Sequence, residues 1–200
     1  SEPTAASPRY TEPVEIGKSA RFRATALREG GENASYSREF AFSKSTGRPA
    51  VLNTKPNDSY TFEGASLLVD GYHSRPVFTS GAWLGYLDEP LDVTIDMGGE
   101  QSYRSVELET LAEKGDWIFP PSSVTVWVSD NGTDFTEVAS VAVPEAKAGD
   151  ADGIGRYRMQ FPETSARYLK VVAQNAAAIP AWHPGAGSKG FLFVDEVVVE

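Results

Sequence analysis

Along most of this chain apolar residues recur at every second position, and the spacing of an amphipathic helix is nearly absent. The clearest run is LDVTIDM at residues 91–97, in which leucine, valine, isoleucine and methionine alternate with aspartate and threonine. Because successive side chains of a strand point to opposite faces of a sheet, one face of this run is buried and the other is solvated. The sequence therefore predicts strands rather than helices.

The run SVTVWVS at residues 123–129 repeats the alternation and leads directly into a turn sequence. Asp130, Asn131 and Gly132 follow it, and these residue types tolerate the positive φ angles of tight turns. This arrangement predicts a hairpin into residues 135–143.

Further strands are predicted at residues 104–110, 156–161, 167–174 and 191–199. Many short alternating strands separated by turns are typical of a β-sandwich, so the predicted fold class is all-β. Two connecting segments, 65–86 and 175–190, are long and rich in aromatic residues. Loops of that length in compact domains are often functional.

The first 42 residues are a hairpin-sized piece, with predicted strands at 16–27 and 36–42 and a turn at 30–33. An isolated hairpin is at best marginally stable in water. We therefore expect residues 1–42 to be the truncated part of a second small β-domain and residues 43–200 to form the sandwich.

The chain carries a formal net charge of −10, which repels nucleic-acid phosphates and anionic lipid headgroups, so no nucleic-acid partner is expected. It has no cysteine, which excludes disulfides and thiolate metal sites. No apolar run reaches the roughly 18 residues that predict a membrane span, so no membrane insertion is expected. The chain begins at Ser1 rather than Met, which indicates a boundary inside a longer gene product.

Several motifs of the sandwich region carry a family resemblance. LLVDG at 67–71, WLGY at 83–86 and VTIDMG at 93–98 resemble, in order and spacing, the N-terminal half of a discoidin domain, also called a coagulation factor 5/8 type C domain. VWVSDNGTDF at 126–135 resembles the central hairpin of that family, and ARYLKV at 166–171 with VDEV at 194–197 resembles its closing strands. The resemblance implies a discoidin-like jelly-roll β-sandwich.

The N-terminal residues resemble a different module. SEPT at 1–4, SPRY at 7–10 and the strand at 20–26 resemble the second half of the small chitobiase/β-hexosaminidase C-terminal type domain, which follows the catalytic barrel in family 20 β-N-acetylhexosaminidases. With WIFPP at 117–121 and WHPG at 182–185, the chain resembles the C-terminal region of hexosaminidases of Bacteroides-type bacteria. This implies a parent glycoside hydrolase and a secreted, periplasmic or cell-surface location.

The bacterial relatives of discoidin domains, the family 32 carbohydrate-binding modules, commonly lack the disulfide of the animal domains and hold calcium. Ca²⁺ takes carboxylate and carbonyl oxygens, often from a curved loop. The resemblance implies a structural Ca²⁺ held by Asp70, by the loop that runs to Thr79 and Ser80, and by Glu196. The alternative is an ordinary turn at Asp70 and a solvent-facing Glu196.

Sugar-binding modules place aromatic rings against the apolar faces of pyranoses and add a few polar groups for the hydroxyls. The candidate ligand-binding residues in the long loops are Tyr72, His73, Arg75, Phe78, Trp117, Trp182 and His183. The loop tryptophans could instead pack against the N-terminal unit or the parent catalytic domain, and the two histidines are expected to be hydrogen-bonded loop residues. Trp83 is expected to be a core residue.

No catalytic constellation is visible in the sequence. Glycoside hydrolysis needs two carboxyls that flank a cleft, whereas Asp195 and Glu196 are adjacent and would point to opposite faces of a regular strand. The run GAGSKG at 185–190 matches the letters of a dinucleotide-binding motif but lacks the strand before it and the helix after it. The chain is therefore expected to be non-catalytic.

These inferences lead to two hypotheses of function. The first is an accessory module that binds N-acetylhexosamine- or galactose-containing glycans and holds its parent enzyme near them. The alternative is a structural module whose aromatic loops pack against the parent catalytic domain and bind no sugar.

Overall fold

The computed structural model describes residues 2–28 and 34–200. The chain divides into two compact units, residues 1–42 and residues 43–200. The regular structure of the described residues is antiparallel strand with a few short 3-10 turns, so the predicted all-β class is confirmed. Among these residues no helix is long and apolar enough to cross a membrane.

The first unit contains a two-stranded antiparallel hairpin. Strand β1 spans Ala20–Ala26 and strand β2 spans Ala34–Phe40, close to the predicted positions. The predicted turn at 30–33 lies outside the described residues. The likeness of this unit to a hexosaminidase-associated domain stays a prediction.

The second unit is built from seven strands. They are β3 (Ala50–Leu52), β4 (Leu84–Tyr86), β5 (Leu91–Ala112), β6 (Ser123–Ser129), β7 (Thr136–Ala142), β8 (Gly153–Gln174) and β9 (Leu192–Val199). They pair in the order β4-β9-β5-β8-β6-β7, and β3 pairs with β5. The 3-10 turns lie at Asp58–Tyr60, Gly64–Val69, Phe78–Ser80 and Lys114–Asp116.

The two long strands, β5 and β8, each contribute to both layers of a sandwich. The first half of β5 pairs with β3 and with the second half of β8, which in turn pairs with β6. The second half of β5 pairs with β9 and with the first half of β8. One layer therefore holds β3, β6 and β7, the other holds β4 and β9, and the long strands run through both.

The corner between the layers lies where the pairing of β5 with β8 slips, between Asp96 and Gln101. Bulges of this kind bend a strand, and Gly98 adopts a φ of 79°, which glycine reaches without a Cβ clash. The sequence predicted separate strands at 91–97 and 104–110. The structure joins them because β5 remains extended through the corner, a continuity that local alternation does not reveal.

The main core lies between the two layers and follows the predicted alternation. Val93 and Ile95 from one layer and Val106 and Leu108 from the other are fully buried. Burial of apolar surface of this kind is the dominant favourable contribution to folding. The position of these residues on β5 confirms which face of the strand is the core face.

A second hydrophobic cluster lies on the outer face of the β9 layer. It consists of Trp83, Leu111, Ile118 and Phe193, with Tyr60, Phe78 and Phe191 packed against it. Phe193 alternates along β9 with the core residues Leu192 and Val194, which places it on the opposite face. Trp83 is fully buried, so its prediction as a core residue is confirmed.

Candidate functional site

Three loops gather at one end of the sandwich. Ser123 at the start of β6 pairs with Ala142 at the end of β7 and with Gln174 at the end of β8. The segments 113–122, 143–152 and 175–191 therefore leave neighbouring strand ends. We call this end the apex.

Two half-exposed tryptophans flank a buried histidine at the apex. Trp117 and Trp182 are 42% and 40% exposed, whereas His183 is buried. The imidazole lies edge-on to both indoles, with ring centroids 6.1 Å from Trp117 and 5.5 Å from Trp182. Phe119, which is also buried, contacts both His183 and Trp182. The structure therefore brings three of the candidate residues into one cluster, the apical aromatic cluster of Trp117, Phe119, Trp182 and His183.

Polar contacts fix the orientation of this cluster. The Trp182 indole N–H donates to the Ala146 carbonyl at 2.9 Å, which ties the last loop to the β7–β8 loop. His183 Nδ1 accepts from the Gly185 N–H at 3.0 Å, in agreement with its prediction as a hydrogen-bonded loop residue. These contacts fix the Trp182 indole and the imidazole against which both exposed indoles pack.

Trp117 is held in an unusual backbone conformation. Its φ is 64°, in the left-handed region that bulky residues rarely occupy, at a cost of about 1–3 kcal/mol. Gly185 lies against its indole so closely that a Cβ there would come within 2.8 Å of the ring. The loop glycine is thus required by close packing, and the strain at Trp117 marks a position that the surrounding structure over-determines.

A groove of about 350 Å³ opens beside the apical cluster. We call it the apical groove; it is lined by residues 119–122, 143–146 and 176–181. Its lining is made mainly of alanine, proline and other apolar side chains, and Glu145 is its one charged residue. The groove could not be predicted from local sequence patterns, because it arises where three loops meet.

An acidic cluster lies at a bulge of β9. Leu108 of β5 pairs with Val197 and Thr110 pairs with Val194, so two residues of β9 stand opposite one residue of β5. Val194 and Val197 both face the core, and Asp195 and Glu196 between them therefore share the outer face. The expectation that these two carboxyls point to opposite faces is wrong, because the bulge shifts the alternation by one residue.

Both carboxyls of the bulge are buried beneath the loop that follows Asp70. Asp195 accepts from the Ser74 N–H at 2.7 Å, and Glu196 accepts from the Gly71 N–H at 3.2 Å. Burial raises the pKa of Asp195 to about 8, with smaller effects of neighbouring carboxylates. Burial, and then the charges of Asp70 and Asp195, raise the pKa of Glu196 to about 9. The alternative of a solvent-facing Glu196 is therefore wrong.

One oxygen of this cluster has no partner in the described structure. Glu196 Oε2 is buried and accepts no hydrogen bond. A buried, unpaired carboxylate oxygen is costly unless a cation or a proton compensates it. Asp70 accepts from the Tyr72 N–H through Oδ1 at 2.7 Å. After burial, the charge of Asp70 is the largest cause of the raised pKa of Glu196. The donor set suits a hard cation such as Ca²⁺.

The remaining oxygens of such a site would have to come from the backbone. In residues 2–28 and 34–200 no three His, Asp or Glu side chains are arranged to hold a metal ion. Thr79 and Ser80, the other candidate ligands, are exposed, and Ser80 lies in the 3-10 turn Phe78–Ser80 with its hydroxyl accepting from the Ala82 N–H at 3.4 Å. Their role as ligands stays a prediction.

A polar group that the sequence did not identify lies beside the acidic cluster. Glu109 is 1% exposed. Its Oε2 is hydrogen-bonded to His73 Nδ1 at 3.0 Å and accepts from the Arg156 Nε–H at 2.8 Å. The hydrogen bond to Glu109 raises the pKa of His73 above its ordinary value. Alternation along β5 places Glu109 on the solvent face, and only the loop that folds over that face buries it. No local sequence signal marks this.

The other first-loop candidates are dispersed over the outer face. Phe78 packs edge-on against Phe193 at 5.7 Å, so its ring belongs to the second hydrophobic cluster. Arg75 is exposed, and its carbonyl accepts from the Trp83 indole N–H at 3.0 Å. In the described part of the chain neither Phe78 nor His73 has a ring contact with the apical aromatic cluster.

Comparison with known proteins agrees with this architecture. Residues 53–189 match the F5/8 type C domain family. The chitosan-binding module 1 of a chitosanase/glucanase from Paenibacillus sp. IK-5 superposes with a TM-score of 0.51 at 17% identity, over 79% of this chain and 98% of that chain. Module 2 of the same enzyme, in complex with chitotriose, gives a TM-score of 0.50 at 17% identity, over 78% and 98%. No curated protein sequence matches significantly. At these identities the structural likeness shows the fold alone.

Proposed function

The chain belongs to the F5/8 type C domain family, and from that premise we propose that residues 43–200 form a non-catalytic module that binds carbohydrate through the apical aromatic cluster. The parent protein in this proposal is a secreted or surface-located bacterial glycoside hydrolase, a β-N-acetylhexosaminidase. Both the parent enzyme and the location rest on the sequence resemblance.

The observation that carries the proposal is the pair of half-exposed indoles held by one buried imidazole. Pyranoses present flat C–H faces that stack on aromatic rings. A platform whose rings are fixed before binding loses little conformational freedom when the ligand arrives. The strained backbone of Trp117 supports this role, because such strain clusters at ligand-binding positions.

The similar structures support the same ligand class. One of them is a chitosan-binding module, and another of that kind was solved with chitotriose bound. The chain has a net charge of −10 and would repel an anionic glycan. A neutral or cationic glycan is therefore the better-suited ligand. N-acetylhexosamine- and galactose-containing glycans are the ligands that we propose to test first.

Binding can be measured on the whole chain by glycan array followed by calorimetric titration. We expect saturable binding that Trp182→Ala and Trp117→Ala each weaken at least about tenfold. Trp127→Phe is the matched control, since Trp127 lies on β6 outside the apex, where it faces Lys170. If no glycan binds, the module is the structural alternative, whose exposed aromatic residues pack against the parent enzyme.

We further propose that Asp70 and Glu196 hold a structural Ca²⁺, with carbonyls of the loop that runs to Thr79 and Ser80. The buried, unpaired Glu196 Oε2 supports this assignment. A bound dication would let the clustered carboxyls ionise without mutual repulsion. Its role would be to fix the loop that covers β9, with no part in a reaction.

The non-catalytic part of the proposal has a direct test. Turnover of a chromogenic N-acetylhexosaminide by the purified chain would contradict it. We expect none, because the clustered carboxyls lie in one bulge under a loop rather than on two sides of a cleft.

A further inference from the structure

The β7–β8 loop, residues 143–152, contains no aromatic residue but is hydrogen-bonded to both segments that carry the apical tryptophans. Its Ala146 carbonyl accepts from the Trp182 indole N–H at 2.9 Å. Its Asp152 carboxylate accepts from the Lys114 N–H at 3.1 Å and also from the ammonium of that lysine. One loop is therefore tied to both tryptophan-bearing segments.

The connection from Lys114 to Trp117 is short and closed. Lys114 begins the 3-10 turn Lys114–Asp116, and Trp117 follows it in the left-handed conformation, with its N–H donating to the Lys114 carbonyl at 3.0 Å. The flanking residues Glu113 and Ile118 exchange two backbone hydrogen bonds, at 3.1 and 3.2 Å, and close the base of this turn. A displacement of the Lys114 backbone must therefore move the backbone of Trp117.

The Lys114 side chain is buried, which is uncommon for lysine. Among the residues that the structure describes, Asp152 is its only ion-pair partner, and the hydrogen bond from the ammonium lowers the pKa of Asp152. A buried ion pair often adds little to stability compared with an apolar side chain of similar size, whereas its hydrogen bonds require one geometry. The pair is therefore better suited to fixing the position of the loop than to stabilising the fold.

The other anchor of the loop is braced by a closed turn. The Lys147 N–H donates to Asp150 Oδ2 at 2.8 Å, and the Asp150 N–H donates to the Lys147 carbonyl at 3.1 Å. This turn directly follows Ala146, the residue that holds the Trp182 indole. It fixes the course of the chain between the two anchors, Ala146 and Asp152.

We propose that the β7–β8 loop is the positioning element of the sugar platform and sets the placement of the Trp117 indole relative to the Trp182 indole. The inference rests on the proposed carbohydrate-binding function. It gives Lys114, Asp150 and Asp152 positioning roles, through the tryptophans and without contact to the sugar. The edge-on ring contacts of the cluster are less directional than these hydrogen bonds. Because the placement of two rings decides which glycan faces can stack on both, the loop contributes to selectivity.

Lys114→Met separates a positioning role from a stabilising one. Methionine resembles the unbranched lysine stem and leaves no unpaired charge in the buried site, so the melting temperature should change by only a few degrees. Calorimetric titration of the full chain with N-acetylated chitotriose should show an affinity about fivefold lower than that of the parent. In a ¹H–¹⁵N spectrum without glycan the indole signal of Trp117 should move and that of Trp182 should stay. Lys189→Met, which removes an exposed ion pair with Asp88, is the matched control and should change neither.

Asp150→Ala tests the other anchor at an exposed position. It opens the turn beside Ala146, so the indole signal of Trp182 should move and that of Trp117 should stay, with a loss of affinity of about threefold or more. This variant decides the question alone if Lys114→Met does not fold, as judged by its melting curve.

The outcomes distinguish the inference from the proposed function. Folded variants that bind chitotriose as tightly as the parent chain would overturn the inference and leave the proposed function intact, and so would a loss of affinity with unmoved indole signals. If the parent does not bind chitotriose, the same variants are titrated with the tightest ligand of the glycan array. If no glycan of the array binds, the proposed function and the inference both fail.

Discussion

The buried carboxyls of the β9 bulge should make the stability of this domain depend on pH and on calcium together. Asp195 and Glu196 have raised pKa values of about 8 and 9 in the fold, whereas an unfolded chain ionises them near pH 4. Between these limits the folded state holds more protons than the unfolded state. Without a cation, stability should therefore fall as the pH rises from about 4 towards 9.

The size of the effect follows from proton linkage. Each carboxyl that stays protonated in the fold but ionises on unfolding lowers the free energy of unfolding by about 1.4 kcal/mol per pH unit. One such group acting between pH 5 and pH 7 costs about 3 kcal/mol. For a domain of this size that corresponds to a fall in melting temperature of roughly 6–12 °C.

Calcium should oppose this loss, because the cation binds the ionised carboxylates and only in the folded state. We expect added Ca²⁺ to raise the melting temperature strongly at pH 7–8 and weakly at pH 5, relative to chelator. Glu196→Gln should abolish the calcium response and remove the contribution of Glu196 to the pH dependence, leaving that of Asp195. Asp88→Asn, at an exposed carboxyl outside the bulge, should behave as the parent chain. Identical melting curves with calcium and with chelator at both pH values would refute the reasoning.

Two further substitutions test separate parts of the structure. Gly185→Ala would place a Cβ within 2.8 Å of the Trp117 indole and should therefore displace that ring. We expect the free energy of unfolding, measured by chemical denaturation, to fall by about 1–3 kcal/mol and glycan binding to weaken. An unchanged free energy of unfolding and an unchanged affinity would contradict this packing. Glu109→Gln should lower the pKa of His73 towards its ordinary value, because the hydrogen bond to Glu109 is the largest cause of the raised pKa. The stabilisation from that pair is present at low pH and is lost as the pH rises through the folded pKa of His73. Titration of the His73 ring protons by NMR measures it, and an unchanged pKa would count against the contact.

The main architecture could be predicted from sequence because alternation records which face of a strand is buried. The run at 123–129 is reproduced residue for residue by β6, and 91–97 begins at the first residue of β5. The continuation of β5 around the corner could not be predicted in this way, because it depends on long-range pairing with β8. The discoidin resemblance, drawn from short motifs, is confirmed by the family match.

The candidate site was predictable in its aromatic residues and much less so in its carboxylates. Exposed tryptophans in long loops are visible in the sequence, and Trp117 and Trp182 do meet at the apex through His183. The joint orientation of Asp195 and Glu196 required the bulge, which a local pattern in VDEVVV does not specify. Burial of a polar residue by a distant loop leaves no local pattern at all.

The most direct test of carbohydrate binding at the apex uses the four tryptophans of the chain as internal reporters. In a ¹H–¹⁵N spectrum the indole N–H groups give separate signals, and titration with N-acetylated chitotriose should move those of Trp117 and Trp182 in a saturable way. The buried Trp83 and the β6 residue Trp127 should remain in place. If an array shows that the chain binds glycans, but at saturation only Trp127 shifts or no indole shifts, the apical aromatic cluster is not the binding site.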